Sequence, residues 1–359
     1  MSEPLRVAVI GAGGISRLRH IPAYRDAEKL GIARVVAICD PVDAALKETG
    51  DMWGIDARYR DWREVVGRSD VDVVSVATPN SGHEPISIAA LEAGKHVLCE
   101  KPLALDLAGA RRMLAAAERS GKKTGVHFRY RYIPGARYMK ELIDTGEIGS
   151  IHQIYLTYVN GSVQDPASPL RWRMTRAEGG GLLGDLGSHI IDLALWLCGS
   201  IVRVNATLKT FTTERATESG GRARIDVDDA ATLMVEFANG ATGVICASGM
   251  GLGRGNYQHV DLYGAKGSVE YEIERSDVGG DAINVCLGPA QHRVVGMARI
   301  PVPARHHRTA NDPLIDFVRA VRDGVEPAIT FADAVRVQEV IEAAGRSHAS
   351  GSWVPLPLP

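Results

Sequence analysis

The chain has 359 residues, 45% of them hydrophobic and 23% charged. That length predicts two domains, and that balance excludes a disordered or fibrous chain. A net charge of −2 argues against a nucleic-acid or anionic-membrane partner, since proteins of those classes carry basic patches.

Residues Leu5–Ile10 form an apolar run that predicts a buried strand, and Met1 to Pro4 lack the charged-then-apolar order of a signal peptide. Gly11, Ala12, Gly13, Gly14, Ile15 and Ser16 follow at once and open a helical pattern. Strand, glycine turn and helix are the context that a dinucleotide loop requires. Gly11 permits the tight turn and Gly13 lets the backbone approach a pyrophosphate. Gly14 and Ile15 lead to the free N–H groups of the helix start, and Ser16 is small enough for helix–strand packing. An ordinary glycine-rich turn has the same composition. A second strand, residues 34–39, ends in Asp40, placed to accept hydrogen bonds from ribose hydroxyls. Its charge repels a 2′-phosphate, and Pro41 rather than an arginine follows, so NAD is expected over NADP. A helix N-cap is the other use of Asp40.

Residues 71–77 and 96–99 predict a third and a fourth strand, with helical stretches at 86–93 and 107–120. Near-continuous apolar strands separated by helices imply a parallel sheet covered on both faces. The first domain is therefore an α/β dinucleotide-binding domain over residues 1–125.

Beyond it the pattern changes. Residues 151–159 and 202–208 alternate in period two, and 231–237, 241–247, 259–263, 268–273 and 283–287 are further strand candidates. Asn239-Gly240 and the run from Gly264 to Gly267 mark turns. Residues 126–359 are expected to form an α+β domain on a large open, mostly antiparallel sheet with one face packed on helices. Residues 212–224 read as an exposed loop, and helices near 312–322 and 332–344 close the chain.

The five cysteines are widely spaced, without a C-x-x-C pair. Reduced thiols and a cytoplasmic location are expected, and no clustered Cys and His ligands suggest a metal. No apolar run approaches the roughly 20 residues of a bilayer span.

The fourth strand ends in Glu100-Lys101-Pro102. A lysine at the carboxyl edge of a parallel sheet points toward the ligand crevice, although a lone lysine at a strand end is ordinarily just solvated. The neighbouring strand ends in Ala77-Thr78-Pro79-Asn80, with His83 following. The run from Thr78 to Leu103 resembles the Gfo/Idh/MocA oxidoreductases, and the resemblance extends from the glycine loop to Trp353. It implies an N-terminal Rossmann domain and a C-terminal domain on an open sheet. It further implies oxidation or reduction of a secondary alcohol of a sugar or cyclitol with NAD or NADP. Thr78, Pro79, Asn80 and His83 would line the nicotinamide side, Glu100 would touch the cofactor ribose, and Lys101 would be the catalytic lysine.

A glycine run, Gly179 to Gly181, precedes a helix that carries Asp185 and His189 at i and i+4, on one face. They fit the family's Asp-x-x-x-His pattern, with Asp192 ranked below them. Alcohol oxidation needs a base of near-neutral pKa, a role for His189. It also needs a cation beside the developing alkoxide, a role for Lys101, and an orienting group, a role for Asp185. Lys101 and His189 could exchange roles. Arg129, Trp172 and Arg173 resemble family positions near cofactor or substrate, and Tyr257 is a further substrate candidate. The leading reading is an NAD-dependent sugar or cyclitol dehydrogenase. The alternatives are an NAD-dependent glycoside hydrolase with transient oxidation and a non-catalytic NAD- or sugar-binding regulator. The open sheet is expected to pair copies into a homodimer or homotetramer.

Overall fold

The computed structural model describes residues 3–217, 220–275, 278–279, 282–307 and 312–359. The chain divides into two compact units, Met1–Phe128 with Thr309–Gln338, and Arg129–Arg308 with Glu339–Pro359.

The first unit contains β1 (Leu5–Ile10), β2 (Ala33–Cys39), β3 (Arg58–Tyr59), β4 (Val73–Val76), β5 (His96–Cys99) and β6 (Thr124–Val126). They form a parallel sheet in the order β3-β2-β1-β4-β5-β6. All four residues of β4 are buried, as helices on both faces of a parallel sheet demand. The order reverses at β1, and ligands of open α/β sheets bind at the carboxyl ends beside such a reversal. The glycine loop leaves β1 there, and Glu100 and Lys101 leave β5.

One domain assignment is corrected. Residues expected in the second domain return to the first, because helix Pro313–Asp323 buries Leu314, Phe317 and Val318 among Val7, Val9, Ile38 and Leu98. Gly125 makes the room: a Cβ there would lie 2.6 Å from the Phe317 ring. The amphipathic pattern marks the helix but not the sheet it covers.

The second unit contains β7 (Ile151–Val159), β8 (Ile201–Lys209), β9 (Glu214–Ala216), β10 (Arg222–Arg224), β11 (Ala230–Phe237) and β12 (Thr242–Ser248). It continues with β13 (Tyr257–Gly264), β14 (Gly267–Arg275), β15 (Val278–Gly279), β16 (Ala282–Leu287), β17 (Ala298–Pro301) and β18 (Val354–Pro355). Among the described residues ten strands form one sheet, in the order β17-β16-β14-β13-β7-β12-β11-β8-β18, with β15 on β14. It is mixed rather than wholly antiparallel, because β7 runs parallel to β12. Two antiparallel meanders flank β7, and the long, helix-bearing connection between β7 and β12 is what a parallel pair needs.

Period-two alternation buries Ile154, Leu156 and Tyr158 and turns Tyr155 to the other face. Helices Pro134–Asp144 and Ser188–Cys198 pack on the buried face. The expected loop at 212–224 is partly the β9–β10 hairpin, with Glu218 and Ser219 outside the described residues. Arg215 within it is buried, its guanidinium donating to the carbonyls of Asp165 (2.6 Å), Ser168 (3.2 Å) and Val163. The helical run Arg176–Cys198 is long and apolar enough to cross a bilayer, against the expectation from sequence, but 83% of its most apolar stretch is buried inside the unit. All five cysteines are free thiols, and burial pushes Cys39 and Cys198 up to about 12.

Candidate active site

The glycine loop is shaped by what stands behind it. Gly11 has φ +98°, and a Cβ there would lie 2.4 Å from the Ala77 carbonyl at the end of β4. Only glycine combines that backbone with that approach. Gly13 and Gly14 face open space, where a Cβ would meet nothing within 4 Å. Ser16 is buried and its hydroxyl donates to the Gly11 carbonyl. Residues Ser16–His20 make a π turn before helix Ile21–Lys29, a local widening frequent at functional sites.

Asp40 accepts from the Ala12 N–H at 2.8 Å and the Val42 N–H at 2.9 Å while staying half-exposed. It is not the N-cap of the next helix, which begins at Asp43 behind Val42. The residues therefore fit a dinucleotide: an open glycine backbone at a helix start, with a carboxylate fixed beside it.

At the end of β4, Thr78 and Pro79 are accessible, whereas Asn80 and His83 are buried. His83 lies 2.9 Å from the Pro102 carbonyl and 3.1 Å from that of Thr78, so it ties the two strand-end loops together. Burial lowers its pKa. Glu100 is also buried. One oxygen accepts from His20 Nε2 (2.9 Å) and His127 Nδ1 (2.6 Å), and the other from the Lys101 N–H (3.2 Å). Burial alone would raise this carboxyl, but His127 and His20 outweigh it and hold Glu100 well below the usual range. His83 and Glu100 are thus largely buried, where they brace the strand-end loops. Lys101 follows at the surface, half-exposed.

In the second unit, Gly179, Gly180 and Gly181 fold tightly ahead of the helix. Gly181 has φ +110° and a Cβ there would strike Asp228 Oδ1 at 2.5 Å, while one on Gly180 would strike the Arg173 carbonyl at 2.3 Å. Asp228 accepts the Leu183 N–H at 2.8 Å, so it satisfies a donor left free at the helix start. Burial raises its pKa. Residues Leu183–Gly187 again coil as a π turn before helix Ser188–Cys198. Asp185 sits in that turn, half-buried, with Arg173 Nε 3.5 Å away, and Arg173 lies 4.2 Å over the Trp172 ring.

His189 is 6% exposed, its ring edge-on to Tyr130 at 4.7 Å and 6.2 Å from Tyr158. The two tyrosine hydroxyls are 2.8 Å apart, and both reach the Asn256 side chain. Burial and the Tyr130 hydroxyl raise Tyr158 well above the ordinary range. Arg129 stacks over Tyr130 at 5.4 Å. Asp192 is 1% exposed and paired with Arg131 (Nε to Oδ2, 2.8 Å), a support for the helix.

Tyr257 is a correction. It neighbours Gln258, which pairs with Tyr158 and shares its buried face, so Tyr257 points to the opposite side of the sheet. There it meets Glu272 (3.3 Å) and stacks on His259. The sequence reading missed Tyr130, Tyr158, Asn256, Asp228 and the Arg131–Asp192 pair. Tyr158, an inward position of an alternating strand, carried a signal: a buried hydroxyl needs a partner.

Residues 5–128 match an oxidoreductase family with an NAD-binding Rossmann fold, and residues 136–270 match the GFO/IDH/MocA C-terminal domain. The chain is similar to levoglucosan dehydrogenase of Pseudarthrobacter phenanthrenivorans, 34% identical over 99% of both chains. Myo-inositol 2-dehydrogenase of Thermotoga maritima is 30% identical over 92% of each. A solved structure of levoglucosan dehydrogenase in complex with NADH superimposes with a TM-score of 0.91 at 33% identity, covering 99% of this chain and 100% of that one.

Proposed function

We propose that this chain, which belongs to the Gfo/Idh/MocA family of NAD-binding oxidoreductases, oxidises a secondary alcohol of a sugar or cyclitol with Lys101, Asp185 and His189 as its reacting groups. The observation that carries the reading is the packed, orienting environment of His189. Tyr130 and Tyr158 fix its ring, and Asp185 stands one turn before it. The sugar and inositol dehydrogenases that the chain resembles over nearly its whole length support the substrate class.

Gly13 and Gly14 would take the pyrophosphate on open backbone, and Asp40 would accept from the adenosine ribose. NAD when bound supplies the hydride acceptor. His189 removes the hydroxyl proton as general base, because imidazole titrates near neutrality. The Lys101 ammonium stabilises the oxyanion that forms as the proton leaves. Asp185 orients the imidazole or the substrate hydroxyl. Thr78, Pro79, Arg129, Trp172 and Arg173 complete the binding surfaces.

The test follows NADH absorbance with purified protein, NAD and a panel of levoglucosan, myo-inositol, D-apiose and D-glucosides. Net NADH with one or more panel members is expected. Release of an aglycone without NADH would overturn the reading in favour of hydrolysis.

We further infer self-association through the open face of the second sheet, where Tyr155, Tyr263 and Met234 are 38%, 41% and 47% exposed. Light scattering is expected to give a dimer or larger, and a monomer at micromolar concentration would refute it. The free, mostly buried thiols fit a reducing cytoplasm.

A further inference from the structure

Two imidazoles, His20 and His127, meet Glu100 inside the first unit, and Ser75 and Tyr24 extend the network beyond His20. Ser75 sits in the middle of β4 and is completely buried. The Tyr24 hydroxyl donates to Ser75 Oγ at 3.0 Å, and Ser75 Oγ lies 2.8 Å from His20 Nδ1. A carboxylate only accepts, so His20 Nε2 carries the proton that it gives to Glu100 Oε1. In the neutral ring Nδ1 is then bare and accepts from Ser75 Oγ, which in turn accepts from Tyr24. Burial, set against the opposing pull of Glu100, lowers the His20 pKa and keeps this ring neutral. His127 Nδ1 gives a second proton to the same oxygen at 2.6 Å, with the two imidazoles edge-on at 5.2 Å.

The network draws on four places: His20 ends the π turn after the glycine loop, Tyr24 lies in the helix that follows, Ser75 is in β4, and His127 follows β6. Glu100 Oε2 is left to accept the Lys101 N–H. Every hydrogen bond named here has a donor and an acceptor at hydrogen-bond distance.

We propose that His20, Glu100 and His127 are positioning residues: two imidazoles clamp one carboxylate, and the carboxylate fixes the backbone of Lys101 relative to the helix behind the glycine loop. The clamp brings two ring donors from separate elements onto one oxygen of a buried carboxylate. This rests on the reading that Lys101 reacts with substrate. A misplacement of about 1 Å at a reacting group costs on the order of a hundredfold in rate, which is the scale on which such a clamp matters.

The test uses the full chain and a sugar that the panel has shown to be oxidised. His20→Leu and His127→Leu remove the donors and are expected to lower kcat about tenfold to a hundredfold, with NADH affinity by fluorescence unchanged. His20→Gln keeps an uncharged N–H where Nε2 lies, and His127→Asn keeps one where Nδ1 lies, so both are expected to restore turnover. Glu100→Gln keeps the shape but sets a donor against either the imidazoles or the Lys101 N–H, and is expected to lose kcat like the leucine variants. It serves as the test if those fail to fold. Histidine nitrogen NMR reads the same claim without activity, with the proton expected on Nε2 of His20 and on Nδ1 of His127.

Leucine variants that fold and turn over like the parent overturn the proposal. So do amide variants as damaged as the leucine ones, the opposite tautomers, or one equivalent of zinc retained through dialysis. Lys101→Ala is run beside them. If it keeps full turnover, the reading of Lys101 fails, whatever the histidine variants do.

Discussion

In the first unit a buried carboxylate, Glu100, is held by two imidazole donors at 2.6 and 2.9 Å. In the second a buried carboxylate, Asp192, is held by the guanidinium of Arg131, with Nε 2.8 Å from Oδ2. Both stand beside a residue assigned to the chemistry, Lys101 in one case and His189 in the other. The difference is in what loss of the partner leaves behind. An imidazole removed from Glu100 leaves the other imidazole and the Lys101 N–H in place. The guanidinium removed from Asp192 takes away the full opposite charge paired with it.

The largest expected effect lies in front of both supports. Lys101→Ala and His189→Ala should each lower kcat/KM by about 10²–10⁴, with NADH binding retained by fluorescence. Full activity in both variants would leave the two supports with nothing to hold. Next, Arg131→Met should cost about 3–5 kcal/mol of stability by urea unfolding, the usual cost of breaking a buried ion pair from one side. His127→Leu should cost about 1.5–3 kcal/mol, the scale of one hydrogen bond to a charged group. Equal losses would void the distinction between the two units.

A smaller effect concerns Asp40. Asp40→Asn should weaken NAD binding by about 1.5–3 kcal/mol and narrow the preference over NADP in titrations of both. Unchanged affinity for both dinucleotides would limit Asp40 to bracing Ala12 and Val42.

The smallest is a pH effect carried by histidines whose burial lowers them, His96 in the first unit and His306 in the second among them. Burial first, then Lys122, lowers His96 to about 4. A base depressed in this way stabilises the fold above its ordinary pKa of about 6.5, and that stability is lost as pH falls toward 4. His20 and His83 act in the same direction. His96→Asn keeps an acceptor for the Lys123 N–H, which lies 3.0 Å from Nδ1. The variant should therefore show a shallower loss of urea stability between about pH 6.5 and 4 than the parent, and an identical slope would refute the assignment.

Much of this was legible in order along the chain. The near-continuous apolar runs of β1 and β4 announced a parallel sheet, and the alternation in β7 and β11 announced a half-buried one. The glycine turn and Glu100-Lys101 stood out because their chemistry is local to a few residues. Helix Pro313–Asp323 was visible as a helix but was placed with the wrong unit. Its apolar stripe records that a face is buried without recording under which sheet. The face that Tyr257 takes was not legible, because a one-residue shift in register turns a strand position over.

By itself the sequence determined the two kinds of sheet, the dinucleotide loop and the spacing of Asp185 and His189. These are matters of period and of neighbours within a turn. The tertiary structure alone decided which charges are supported and by what. His20 reaches Glu100 across 80 positions and Arg131 reaches Asp192 across 61. A buried charge must find its partner wherever folding brings one, and nothing in a local pattern encodes that meeting.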